Sequence, residues 1–114
     1  MIVVLFELTP APGRTADYFD RAAQLREDLQ SVDGFISVER FESLTQPGRF
    51  LSFSVWRDEA AVTAWRCQEQ HRGAQQAGRS GLLADYRLRV ATVVRDYGLH
   101  DRGAVPSDSL SALV

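Results

Sequence analysis

The sequence predicts an α+β domain with the ferredoxin-like order β-α-β-β-α-β, in which one antiparallel sheet carries both helices on one face. Two observations favour this fold class. A chain of 114 residues is long enough for a single core. Strand-like and helix-like periodicities also follow one another along it in that order. We therefore expect one domain over residues 1–97 and an irregular tail over residues 98–114.

The first strand is predicted over Ile2–Leu8, where both alternating faces are apolar except at Glu7. A Pro-Ala-Pro-Gly turn follows, and Thr15 is suited to cap the first helix. Asp33-Gly34 provides a left-handed stop for that helix. Its apolar residues recur at helical spacing: Tyr18, Ala22, Leu25, Leu29 and Val32.

A hairpin is predicted next, with strands over Phe35–Leu44 and Phe50–Trp56 joined by a turn at Thr45–Gly48. The second of these strands places Leu51, Phe53 and Val55 on one face, and Phe50, Ser52, Ser54 and Trp56 on the other. A last strand is predicted from about Tyr86 to Tyr97, with Leu88, Val90 and Val94 on one face and Arg87, Arg89, Ala91, Val93 and Arg95 on the other.

The two strands expected in the middle of the sheet are apolar on the face that the helices do not cover. A second copy of the same sheet is the simplest cover, so we expect a homodimer with its sheets packed face to face.

Composition argues against several partners. The net charge is −2, and all 13 basic residues are arginine, so no strong positive field attracts nucleic acid or an anionic membrane. The third strand also lacks the basic-glycine start typical of RNA-recognition domains. Cys67 is the single cysteine, which favours a reducing cytoplasm, and the short apolar opening predicts neither a targeting segment nor a membrane span.

The second helix, capped by Asp58 and bounded by Gly78 and Gly81, changes character along one stripe. Its first two turns are apolar and can pack on the sheet, whereas its later turns are polar. Either those later turns emerge into solvent, or they line a cavity between helix and sheet. At 100° per residue the stripe holds Ala61, Val62, Ala64, Trp65, Gln68, His71, Arg72, Gln75, Gln76 and Arg79.

If the stripe lines a cavity, its residue types suit acid–base chemistry. His71 can take a proton near neutral pH, and Arg72 or Arg79 can stabilise the oxyanion that results. Metal chemistry is poorly supported, because the two histidines lie on different elements. The candidates for substrate contact are Trp56, Gln68, Gln75, Arg79 and Tyr86.

The frame W-R-D-E-A-A-V-x-A-W-R-x-x-x-x-H-R-x-A-Q-x-x-G-R over Trp56–Arg79, with Tyr86–Ala91 and Arg95–Gly98 behind it, resembles the antibiotic biosynthesis monooxygenase family. The resemblance implies a dimeric α+β barrel with a pocket between sheet and helices. Members that oxygenate anthrone-like polyketides use no metal, flavin or haem, and associate a tryptophan, a tyrosine and an asparagine with catalysis. Trp65 and Tyr86 offer counterparts, and the chain has no asparagine.

The leading hypothesis is therefore a cofactor-independent monooxygenase that oxidises a small electron-rich aromatic or polyketide-type substrate with O2, with His71, Trp65 and Arg72 as catalytic residues. A non-catalytic dimeric binder of small apolar molecules is the alternative. A haem-binding or haem-degrading relative is the third. Haem degraders of the family carry a histidine on the second helix, as His71 does, and an asparagine on the first strand, where this chain has Phe6 and Glu7.

Overall fold

A computed structural model describes residues 1–71 and 81–109, with the backbone alone at residues 69–71. Its elements follow the predicted order β-α-β-β-α-β. They form one antiparallel sheet in the order β2-β3-β1-β4, which confirms the ferredoxin-like fold class. The elements are β1 (Ile2–Pro10), α1 (Thr15–Gln30), β2 (Phe35–Glu42), β3 (Phe50–Trp56), α2 (Glu59–His71), β4 (Leu83–Thr92) and a 3-10 turn (Ser107–Ser109).

The last strand has different ends from those predicted. It begins at Leu83 instead of Tyr86, and it ends at Thr92 because Thr92 pairs with Ile2, the first residue of β1. Beyond Thr92, the Val93 amide donates to the Met1 carbonyl at 3.0 Å, and the next residue, Val94, is 82% exposed. The first strand is longer than predicted, and β2 ends at Glu42 instead of Leu44. A domain boundary at residue 97 stays a prediction.

The first helix begins differently from the prediction. Thr15 is its first helical residue and not its cap: Arg14 occupies the capping position, and no side chain caps the helix. Arg14 instead donates from Nε to Asp17 at 2.6 Å. The helix ends at Gln30, before Val32. The predicted left-handed glycine is confirmed, since Gly34 has φ +91°.

Strand register fixes which residues lie beneath the helices. Ile2 pairs with Trp56 and Leu8 with Phe50, and alternate residues between them share the helix side of β1 and β3. The buried residues form two clusters at opposite ends of this face. One cluster contains Ile2, Leu29, Trp56, Ala61 and Val62, and the other contains Leu8, Tyr18 and Leu82.

The opposite side of the sheet, which we call the open face, carries no helix. Its centre is apolar and consists of Val3, Leu5, Leu51, Phe53 and Val55, all half-buried in the single chain. One end is ionic: Glu7 Oε2 lies 3.5 Å from Arg49 and 3.4 Å from Arg89, and Arg49 also lies 3.4 Å from Asp85. These charges pair with one another between β1, β4 and the residue that precedes β3.

Candidate functional site

A group of large apolar side chains on β4 is exposed, although it lies on the helix side of the sheet. Tyr86, Leu88 and Val90 are 61%, 52% and 46% exposed. Register places them beside Leu8, Phe6 and Val4 of β1, and the rings of Phe6 and Tyr86 meet edge to face at 5.6 Å. We call this surface the helix-side cleft; its floor is Val4, Phe6, Tyr86, Leu88 and Val90.

The first turns of α2 seat that helix beside the cleft. The backbone amide of Ala61 donates to Asp58 Oδ1 at 2.9 Å, so the predicted cap is confirmed. That hydrogen bond, together with the neighbouring Arg57 guanidinium, lowers the pKa of Asp58. Arg57 also binds both carboxylate oxygens of Asp33, each at 3.2 Å, which ties the start of α2 to the end of the α1–β2 connection.

The predicted stripe of α2 is confirmed in its first half, with one correction. Ala61 and Val62 are buried, and Trp65 and Gln68 are half-buried, as expected for one face packed towards the sheet. Ala64 is exposed, so its inclusion in the stripe was wrong. Ala64 lies at the margin of the half of the helix surface that was counted as one face, and the sheet does not extend beneath it.

The two tryptophans occupy different environments. Trp56 is 2% exposed, its Nε1 donates to Ser54 Oγ at 2.9 Å, and its ring meets that of Phe35 at 5.3 Å. This is a core position with its one polar atom satisfied. Trp65 is half-buried and packs against the same cluster from outside, as Val4 of the cleft floor also does. Of the two, Trp65 is the more exposed, and its role at a ligand site stays a prediction.

Several predicted site residues lie outside the described residues. The backbone of His71 ends α2, but its side chain is not described, and Arg72, Gln75, Gln76 and Arg79 fall in the range 72–80. Of the described candidates, Trp65 and Gln68 are half-buried on α2, and Tyr86 lies on the helix side of β4. The assignment of a base and of an oxyanion partner stays a prediction.

The floor residues Phe6, Leu88 and Val90 were not predicted as site residues. Their alternation in sequence gave the correct face, and it was the only available signal. Whether a strand face beneath a helix is covered or open depends on where that helix lies across the sheet, which periodicity does not report. The exposure of these helix-side residues therefore cannot be predicted from the sequence and depends on the fold.

Other groups in the described part of the chain are weaker candidates for a functional site. No group of three His, Cys, Asp or Glu side chains there can hold a metal ion. Cys67 is exposed on α2. A depression of about 370 Å³ beside the β2–β3 hairpin includes Glu7, Glu42 and Arg49, but those charges already have partners in Arg89, the Gly48 amide and Thr9. Within residues 1–71 and 81–109, no helix has the length and apolar character needed to span a membrane.

Comparison with known proteins agrees with this arrangement. A protein of Pyricularia oryzae named jasmonate monooxygenase ABM is 45% identical over 93 residues. The match covers 82% of this chain and 43% of that relative, so this chain spans less than half of the relative's length.

Solved structures share the fold at low sequence identity. A Deinococcus radiodurans protein assigned to the antibiotic biosynthesis monooxygenases superposes with a TM-score of 0.74 at 17% identity, covering 86% of this chain and 97% of that one. A variant of SnoaB, a cofactor-independent oxygenase from Streptomyces nogalater, gives 0.71 at 15% identity, covering 83% and 94%. The family model described as antibiotic biosynthesis monooxygenase matches residues 1–77. The chain belongs to the antibiotic biosynthesis monooxygenase family.

Proposed function

We propose that this chain is a cofactor-independent monooxygenase that oxidises a small electron-rich aromatic or polyketide-type substrate with O2 in the helix-side cleft. The observation that carries the proposal is the exposed apolar floor on β4, since the surfaces that line substrate sites are largely apolar. Family membership supports the reaction class, as do the names of the Pyricularia relative and of SnoaB. A cytoplasmic location is part of the same proposal.

The proposed route uses the substrate as its own reductant. His71 takes a proton from an activated phenol or methylene, and Arg72 or Arg79 stabilises the enolate. The enolate transfers electrons to O2; one oxygen atom is incorporated as a new carbonyl, and the other leaves as water with the two hydrogens lost from the carbon. Trp65, Gln68, Gln75 and Tyr86 hold the ring above an apolar floor that keeps water away from the anion.

Oxygen uptake tests this proposal. Purified protein is supplied with an anthrone or a dihydroquinone, and dioxygen consumption is compared with quinone formation. We expect one O2 per product for the anthrone, and a fall in kcat of about 100-fold or more for His71→Ala, because a general base contributes that much. Arg26→Ala, an exposed change on α1, is the control variant. Unchanged turnover in His71→Ala would remove His71 from the mechanism.

A dimeric binder without turnover is the second candidate. It is favoured by one observation: the described floor offers apolar contact and a single hydroxyl, on Tyr86, but no acid or base. No oxygen uptake with any anthrone or dihydroquinone, together with saturable binding of those compounds, would support it. Titration with haem tests the third candidate, for which a Soret shift is the expected signal.

We also propose that the protein is a homodimer assembled through the open face. The apolar centre of that face, formed by Leu5, Phe53 and their neighbours, remains half-exposed in the single chain. Apolar groups on the two central strands gain most from a second sheet, and a two-fold axis brings the same patch onto itself.

A further inference from the structure

Arg21 lies on the flank of α1 that faces β1 and β4. Two contacts fix the orientation of the helix. Phe19 meets Phe50 of β3 with ring centroids 5.0 Å apart, whereas Tyr18 packs with Leu8 of β1 and with Leu82, next to β4. Arg21 is three residues beyond Tyr18, which places it about 60° further round the helix on the side away from Phe19. It therefore lies on the flank of α1 directed towards the two strands that form the floor of the helix-side cleft.

The Arg21 guanidinium has one donor without a partner in the described part of the chain. Its Nε is buried and makes no hydrogen bond to any described residue. The residues four positions away on α1 do not supply the missing acceptor. Asp17, four residues earlier, is bound to Arg14, and Leu25 stands four residues later. Desolvating a charged donor without giving it a partner is costly, so such a group is suited to a ligand that supplies the missing acceptor.

The ligand that fits is an anion with an apolar body. Arginine presents its donors in a planar fork, and a carboxylate matches that fork with two parallel hydrogen bonds. The cleft floor is apolar apart from the hydroxyl of Tyr86. Resting on the cleft assigned under the proposed function, we propose that Arg21 anchors the carboxylate of an apolar acid, so that the protein selects carboxylate-bearing substrates over their neutral counterparts.

Binding of a matched pair of probes tests the inference without any turnover. Anthracene-2-carboxylate and anthracene-2-carboxamide have the same ring and nearly the same shape, and differ in charge. Their dissociation constants are measured at pH 7 by quenching of tryptophan emission, for wild type and Arg21→Met. We expect the acid to bind wild type more tightly than the amide. Arg21→Met should weaken the acid about 10- to 100-fold and leave the amide within about twofold.

Arg40→Met is the matched control. The Nε of Arg40 is likewise buried and makes no hydrogen bond to a described residue, but Arg40 lies on the edge strand β2, opposite Ser52, on the far side of α1. We expect it to change neither dissociation constant. Circular dichroism and thermal melting confirm that both variants fold.

Two results would overturn the inference. One is equal weakening of acid and amide by Arg21→Met, or no weakening of the acid. The other is acid binding to wild type no tighter than amide binding, including the case in which neither probe binds. Failure of the oxygenase proposal is distinguishable, since it would appear as absent oxygen uptake while the preference for the acid persists.

Discussion

At the scale of single residues, Gly34 joins two distant parts of the chain. A Cβ at this position would lie 2.8 Å from the Cβ of Ala61 and 3.3 Å from the Arg57 guanidinium. The carbonyl of Gly34 also accepts the Arg57 amide at 2.7 Å. The left-handed backbone therefore permits the close approach that positions the start of α2, and through it Trp65.

Gly34→Ala tests that role. We expect the free energy of unfolding to fall by about 2 kcal/mol or more, because backbone strain and crowding against Ala61 add. Gly13→Ala is the control: its φ is +75°, yet nothing lies within 4 Å of the added Cβ, so strain alone should cost about 1 kcal/mol. Urea denaturation measures both. Equal losses for the two variants would contradict the crowding argument.

Asp58 gives a second prediction at this scale, in pH dependence. The Ala61 amide, followed by Arg57, lowers the pKa of Asp58 in the folded chain. Its charged form therefore adds stability above its unfolded pKa of about 4, and that contribution is lost as the pH falls further through the folded value. We expect Asp58→Asn to melt below wild type at pH 7, with a gap that closes below about pH 4. A gap independent of pH would contradict this assignment.

Residue roles were only partly predictable. The cap at Asp58 and the stop at Gly34 follow from local chemistry, and both predictions are confirmed. Trp56 and Trp65 looked alike in sequence, since each borders the same helix. Their roles diverge because Trp56 also belongs to β3 and points into the core, where the Ser54 hydroxyl accepts a hydrogen bond from its indole N–H. Such long-range packing leaves no local signal.

At the scale of elements, the position of β4 explains why the floor of the helix-side cleft is exposed. β4 is an edge strand of the sheet. Its helix-side residues stay exposed because the described helices cover the two ends of the helix side of the sheet more than they cover β4. The faces of β1, β3 and β4 were predictable from alternation with period two. The end of β4 was not, because it is set by the length of β1 and not by the residues that follow Thr92.

Leu88→Ser separates binding from stability. Half of the Leu88 surface is already exposed, so we expect the free energy of unfolding to change by less than about 1 kcal/mol. Affinity for anthracene-2-carboxamide should fall about threefold to tenfold, because apolar contact area is lost. Leu99→Ser, at a 60% exposed residue of the tail, should leave that affinity unchanged. An unchanged affinity in Leu88→Ser would place the ligand elsewhere.

At the scale of the whole molecule, assembly through the open face can be tested directly. We expect sedimentation at twice the chain mass of 12.7 kDa at micromolar concentration. Phe53→Glu should give a folded monomer, because a carboxylate buried between two sheets has no partner. Val94→Glu, at an 82% exposed residue outside the sheet, should remain dimeric. A monomeric wild type would refute the sheet-to-sheet packing.

The pairing of β1 has a consequence for synthesis. β1 emerges from the ribosome before both of its neighbours, β3 and β4, and Ile2 pairs with Thr92. The sheet can close only when nearly all of residues 1–92 are available, so nascent chains carry an unpaired strand edge until β4 is made. The family match ends at residue 77, before β4. We expect a fragment cut there to keep that edge open and to aggregate.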